Sequence, residues 1–373
     1  MAAIAAGQGT SYGDGIAPGA RIVNVKVGAS NGAVDVSQVI AAIDWVVEHR
    51  HQDGMNIRVL NLSYGTDSRA HHGTDPLSYA VENAWNHGIA VVVSAGNETR
   101  NVVGLANPAS NPFVIAVGGA GKSVIHDSGW KAADWTTRGN ANRHPDIVAP
   151  GECLLSAGLP GSALYETSPS SAQHFAGAET YLRGSGTSQA AAVVSGSVAV
   201  LLEQRPWLTP DQIKTLITDN GRQLHTDLHR NNKLRKAQTP QIAGSGLLDL
   251  AAILDSADPA AATQHFTPAR GTGSLHLARG TQIVGDVGDQ LIGEQTAFGS
   301  LWDPATGSDG IWSGATWSSG TWSGGTWSGG TWSGATWSGA TWSGGTWSGA
   351  TWSGATWSGA TWSGATWSSV ATS

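Results

Sequence analysis

The sequence predicts an α/β fold built on a mainly parallel sheet, followed by a low-complexity repeat. Three observations predict it. Over residues 1 to about 255, short β-branched runs alternate with segments whose apolar residues recur at helical spacing. One run, Ile89 to Val93, is apolar without alternation, as a strand buried on both faces requires. From Trp312 to Trp367 a tryptophan recurs every five residues, and no charged residue follows Asp309.

Composition divides the chain into three: a globular part at 1–255, a Gly/Thr/Ala-rich linker at 256–306, and the repeat at 307–373. Of 373 residues, 40% are hydrophobic and 13% charged, enough for a packed core beside a long neutral segment. The net charge of −7 and the absence of a Lys/Arg block give no support to nucleic acid or an anionic membrane as partner. No apolar run approaches the ~18 residues of a membrane span. The opening Met1 to Gly7 has no basic region and does not read as a signal peptide. The single cysteine, Cys153, cannot form an internal disulfide and reads as a small buried hydrophobe.

Each element has its own signal. Ile22, Val23, Val25 and Val27 predict a short strand, and Asn31-Gly32 a turn after it. Val36, Val39, Ile40, Ile43, Val46 and Val47 fall on one helical face. Arg58 to Ser63 reads as a strand. Asp75 and Pro76 supply the cap and first residue of a helix to Asn86, which Gly88 ends. The buried strand Ile89 to Val93 follows, then short strands at Val114 to Val117 and Ile147-Val148. A helix runs from Ser188 to about Glu203, and Thr209-Pro210 opens another. In such sheets functional loops sit at the carboxyl ends of strands, where Tyr64 and Asn97 fall.

Gly184 to Gln189 singles out Ser188. Two glycines let the chain turn sharply before a helix. Free N–H groups at a helix start carry partial positive charge and can hold an oxyanion. Alone, Gly-Thr-Ser is weak and reads as a helix cap before it reads as a nucleophile.

Four segments in order change that weighting: Asn61 to Gly65, Ser94 to Asn97, Pro145 to Gly151, and Gly186-Thr187-Ser188. With Ile16 to Ala20 and the Leu208-Thr209-Pro210 helix start, they resemble the subtilisin-like serine proteases, the subtilases. The resemblance implies a three-layer subtilisin-like fold and a serine endopeptidase. It implies Ser188 as nucleophile and Asn97, with the Ser188 N–H, as the oxyanion donors. It implies Ser63, Tyr64 and Gly65 as the strand that pairs with an extended polypeptide substrate, and Ala95 and Gly96 as part of the side-chain pocket. Asp146 resembles a structural aspartate. Calcium occurs in relatives, but no acidic cluster here supports a metal or other cofactor.

Two departures stand out. Where the family continues the serine motif with methionine, two alanines, proline and histidine, this chain has Gln189-Ala190-Ala191-Ala192-Val193. In subtilases the order is Asp, His, Ser. Met1 to Gly7 resembles the small-residue helix just past the catalytic histidine. The chain as written is therefore expected to lack the family's catalytic Asp and His, and the sheet its N-terminal strand. His72-Gly73-Thr74 spells part of the histidine motif, but falls too late and leads into a helix start. Asp35 and Asp44 are also misplaced for the missing aspartate.

The tail unit is Thr-Trp-Ser-Gly-Ala/Gly. It reads either as a solenoid with one pentamer per side of a coil, or as a disordered aromatic tail. Either could bind cell wall, carbohydrate or copies of itself. The tail resembles Trp-Ser-Gly arrays that follow some bacterial secreted subtilases, which implies that the full-length protein is extracellular.

Overall fold

The computed structural model describes residues 1–9, 13–28, 34–99, 103–122, 129–174, 180–225, 237–260, 262–282, 285–286, 289–291, 293–297 and 301–302, and the Thr-Trp-Ser triplets between 316 and 368. In chain order the elements are α1 (Ala2–Ala6), α2 (Val36–His49), β1 (Val59–Leu62), α3 (Pro76–Asn86), β2 (Ala90–Ser94), β3 (Ile115–Lys122), β4 (Trp130–Ala132) and β5 (Ile147–Pro150). They continue with β6 (Leu154–Ala157), α4 (Ala163–Thr167), β7 (Ala172–His174), β8 (Thr180–Gly184), α5 (Thr187–Gln204), α6 (Pro210–Asp219), α7 (Pro240–Ala243), α8 (Leu250–Asp255) and α9 (Leu275–Arg279).

The central sheet is mainly parallel. β1 pairs with β2, β2 with β3 and β3 with β5 in parallel, while β4 runs antiparallel to the end of β3. Val91, Val92, Val93, Ile115 and Ile147 are wholly buried. Burial on both faces explains why Ile89 to Val93 shows no polar alternation. α5 lies along the sheet and touches β1, β2, β3 and β5. α3 backs β2, with α2 packed on α3. α1 packs on α5. A Cβ at Gly196 would lie 2.8 Å from the Ala5 carbonyl, so this approach requires glycine. β6, β7 and β8 form a separate antiparallel sheet leading into α5.

Helix boundaries follow the capping chemistry. Asp35 caps α2, Asp75 caps α3 and Thr209 caps α6, each by accepting a backbone N–H. Gly88, at φ +83°, follows the C-cap of α3. Asp146 is a structural hub. It accepts from the Ala116 N–H and pairs with Arg143 at 2.9 Å and Lys214 at 3.3 Å.

Three expectations meet a different outcome. The strand predicted at Ile22 to Val27 does not form. Among the described residues nothing pairs with it, and Ile22 and Val23 are exposed, although Val25 and Val27 pack on the core. A β-rich run becomes a strand only with a ladder partner. Cys153 is exposed rather than buried: it lies in the short connection between β5 and β6, next to exposed Glu152, where it takes φ +54°. The 256–306 stretch does more than link: within it, Leu275, Ala278 and Arg279 are buried against the domain, as is Trp302. The Asn31-Gly32 turn lies outside the described residues.

In the tail, each Thr-Trp-Ser triplet pairs in parallel with the triplet twenty residues on, as Thr316 to Ser318 does with Thr336 to Ser338. The step repeats from Thr321 to Thr341, Thr326 to Thr346 and Thr331 to Thr351. The ladder thus steps by twenty residues, the length of four pentamers, with like triplet residues in register.

Candidate active site

The site forms where β1, β2 and the start of α5 meet. Its centre is a cleft of about 210 Å³ lined by Ser63, Gly65, Ser94, Gly96, Asn97 and Ser188, among others. Ser188 is the second residue of α5 and is half-buried. Among the described residues its N–H has no acceptor, as expected of a first-turn amide.

Thr187 sets the geometry. Its N–H donates to Asn97 Oδ1 at 2.9 Å, and its hydroxyl reaches the same oxygen at 3.1 Å. An N–H must meet an oxygen, so these contacts fix which way the carboxamide faces. Asn97 Nδ2 is left without an acceptor among the described residues. Beside it, Gly96 takes φ +111°, and a Cβ there would lie 2.8 Å from Thr137 Oγ1. Only glycine meets both demands.

The β1 side is tied to Ser188 by a polar chain. Ser195 Oγ donates to Asn61 Oδ1 at 3.0 Å, and Asn61 Nδ2 donates to Ser63 Oγ at 3.0 Å. Ser63 Oγ then donates to the Ser188 carbonyl at 3.1 Å. The next residues alternate. Ser63 and Gly65 line the cleft, while Tyr64 packs on the core. Burial, reinforced by Asp35, pushes the Tyr64 phenol well above its usual range. Ala95 is wholly buried, so Gly96 lines the cleft and Ala95 supports it from behind. Sequence reasoning missed Thr187 as the orienting group. It also missed Leu105, Ala106 and Gln282, which join the cleft wall from distant loops.

Among the described residues no histidine lines the cleft. His71 and His72 stack at 4.6 Å in the loop before α3, where the Gly73 N–H donates to His71 Nδ1. Burial, then His71, pushes the His72 imidazole below its ordinary value. Asp35, Asp44 and Asp146 also lie outside the cleft. No group of three or more His, Cys, Asp or Glu side chains among the described residues is arranged to hold a metal ion. None of the described helices is long and apolar enough to cross a membrane.

Comparison with known proteins bears on this arrangement. The family described as Peptidase S8, subtilase family, matches residues 1–246. The chain belongs to the subtilase family. Serine protease AprX of Bacillus subtilis (strain 168) is 31% identical over 242 residues, covering 63% of this chain and 51% of the relative. The Extracellular serine proteinase of Thermus sp. (strain Rt41A) is 32% identical over 209 residues, covering 56% and 42%. Fervidolysin of Fervidobacterium pennivorans, described as a keratinolytic enzyme related to subtilisin, superposes with a TM-score of 0.52 at 28% identity, over 69% of this chain and 36% of that one. This subtilase chain thus spans about half the length of the curated relatives it matches.

Proposed function

We propose that this chain carries the nucleophile and oxyanion donors of a serine-type endopeptidase that cleaves polypeptides through an acyl-enzyme on Ser188. The carrying observation is the Thr187–Asn97 contact, which leaves Asn97 Nδ2, like the Ser188 N–H, without an acceptor among the described residues in the cleft that holds Ser188. Ser188 Oγ attacks the scissile carbonyl carbon, and the tetrahedral oxyanion accepts from those two donors. Collapse breaks the C–N bond, the amine leaves with a proton, and water then releases the acyl group. The Ser188 proton must pass to a base, which in the family pattern is a histidine ahead of α1, oriented by an aspartate. The substrate backbone pairs along Ser63 to Gly65. The proposed setting of the full-length protein is extracellular, the word the Thermus relative carries in its name.

The test extends the reading frame upstream of Met1. A protein bearing a histidine motif and an aspartate there is expected to hydrolyse casein and to be labelled at Ser188 by a fluorophosphonate. Its Ser188→Ala variant should do neither. The chain as written is expected to retain only ~10³–10⁴-fold acceleration over water, the level oxyanion donors and binding supply alone. Casein hydrolysis unaffected by Ser188→Ala would overturn the reading.

A second reading is a protease-like scaffold held to cell-wall carbohydrate, or to copies of itself, by the repeat. Its support is the twenty-residue register that aligns Trp317, Trp337 and Trp357 along the ladder. A truncation after Thr306 that keeps full binding to cell-wall material would remove it.

A further inference from the structure

The segment after the family match comes back over the cleft. Residues 262–282 lie beyond 1–246 and dock on the loop between β1 and α3 and on α3 itself. The Ala269 N–H donates to Glu82 Oε2 at 2.7 Å, and the Arg270 N–H to the Gly73 carbonyl at 2.9 Å. α9 is then anchored by Arg279, which is 1% exposed. Its guanidinium donates to Asp35 at 2.6 Å, to the Gly293 carbonyl at 2.6 Å and to the Gln295 carbonyl. Every branch of this buried cation therefore has a partner, and the anchor fixes where the following turn lies.

That turn reaches the substrate-pairing strand. Thr66 Oγ1 donates to the Ala278 carbonyl at 2.8 Å. Gly280, at φ +63°, passes so close to Asp67 that a Cβ would lie 2.1 Å from its Oδ1. The Thr281 N–H donates to the same carboxylate at 2.7 Å. Gln282 follows, exposed and lining the cleft, and its Nε2 donates to the Gly65 carbonyl at 3.1 Å.

The target of that bond matters. Thr66 exchanges both backbone bonds with Asn107, at 2.9 Å each. Along an extended strand successive residues direct these groups to opposite edges. Gly65 therefore offers its carbonyl to the edge away from Asn107, and Ser63, two residues back, shares that edge. This is the edge a substrate backbone would use, and Gln282 occupies one of its acceptors.

We propose that Gln282 is a specificity-determining residue. By taking the Gly65 carbonyl it shortens the pairing edge, so the cleft reads a short stretch of polypeptide rather than a long one. The inference rests on the endopeptidase reading of the cleft.

The test uses the chain as written and reads peptide binding, with no turnover required. Fluorescein-labelled alanine peptides of three and six residues, each ending in leucine amide, are titrated by anisotropy. In the parent, lengthening the peptide is expected to leave Kd unchanged. In Gln282→Ala, the freed Gly65 carbonyl is expected to tighten the longer peptide about 2- to 10-fold, the worth of one net hydrogen bond. Gln282→Glu, which keeps the bulk but cannot donate when ionised, should behave like the alanine variant. Gln282 is exposed, so both variants should keep the parent melting temperature, which is checked alongside. Saturable binding with the same length dependence in all three proteins overturns this inference alone. No saturable binding to any of them overturns the endopeptidase reading with it.

Discussion

The two ends of the sheet treat polar groups in opposite ways. Near the amino ends of β3 and β5, Asp146 is tucked among Arg143, Lys214 and the Ala116 N–H, with a partner on every side. At the carboxyl ends of β1 and β2, Asn97 Nδ2 and the Ser188 N–H have none among the described residues. Buried polar groups cost free energy unless paired, so the first arrangement is the ordinary one. The second is tolerated because the cleft is open to water. It leaves donors ready for an incoming oxygen. One end pairs its polar groups within the fold, and the other leaves donors facing the water of the cleft.

Breaking the paired end should give the largest effect on stability. Asp146→Ala leaves buried Lys214 and half-buried Arg143 without their carboxylate. Removing one partner of a buried pair typically costs about 3–5 kcal/mol. Urea unfolding should show this as a lower midpoint at unchanged slope. A loss below about 1 kcal/mol, the range of exposed pairs, would mean the hub is solvated and the contrast between the ends is false.

At the unpaired end the effect should fall on chemistry. In a form competent for hydrolysis, Asn97→Ala is expected to lower kcat by about 10²–10³. Its melting temperature should fall less than that of Asp146→Ala, because Asn97 is exposed and the main loss is the acceptor of the buried Thr187 N–H. Thr187→Val should do less to kcat than Asn97→Ala. It removes the hydroxyl bond to Asn97 Oδ1 but keeps the backbone bond. An Asn97→Ala variant that unfolds early while its surviving fraction keeps full kcat would reverse the assignment.

How much of this was legible in the sequence depends on how local each cause is. The caps Asp35, Asp75 and Thr209 act within three residues, so a sequence window contains both partners. That Ser188 and Asn97 meet in one cleft was legible because each sits in a short motif of the ordered set. The Ile22 to Val27 run failed because strand formation depends on a neighbour that composition does not reveal. The same limit hid Gln282, which meets Gly65 across 217 positions, and Arg279, which meets Asp35 across 244. The Gly/Thr-rich composition around them reads as a linker, while their anchoring runs through long-range contacts such as those of buried Arg279 and of Ala269 with Glu82. In the repeat, the five-residue period was plain, but the twenty-residue step appears only in the ladder of paired triplets.

The smallest effect separates the ends by pH. Burial raises the Asp146 carboxyl, but Arg143 and Lys214 outweigh it and hold it below its ordinary value. A depressed carboxyl contributes stability that is present above its unfolded value, near ~3.9, and is lost as pH falls through the folded one. Lys214 behaves differently. Burial lowers it from 10.5 to about 8, against the pull of Asp146. Between pH 8 and 10.5 the unfolded chain then binds more protons at this lysine than the folded chain does, so its contribution to stability rises with pH across that window. Lys214→Met should flatten the alkaline rise, and Asp146→Asn should flatten the acid loss, both read from denaturation midpoints at fixed ionic strength. Ser188→Ala should alter neither limb, because no charged partner meets Ser188 among the described residues. A pH profile that moved with Ser188 instead of Asp146 and Lys214 would place the titrating network at the cleft and undo the division between the two ends.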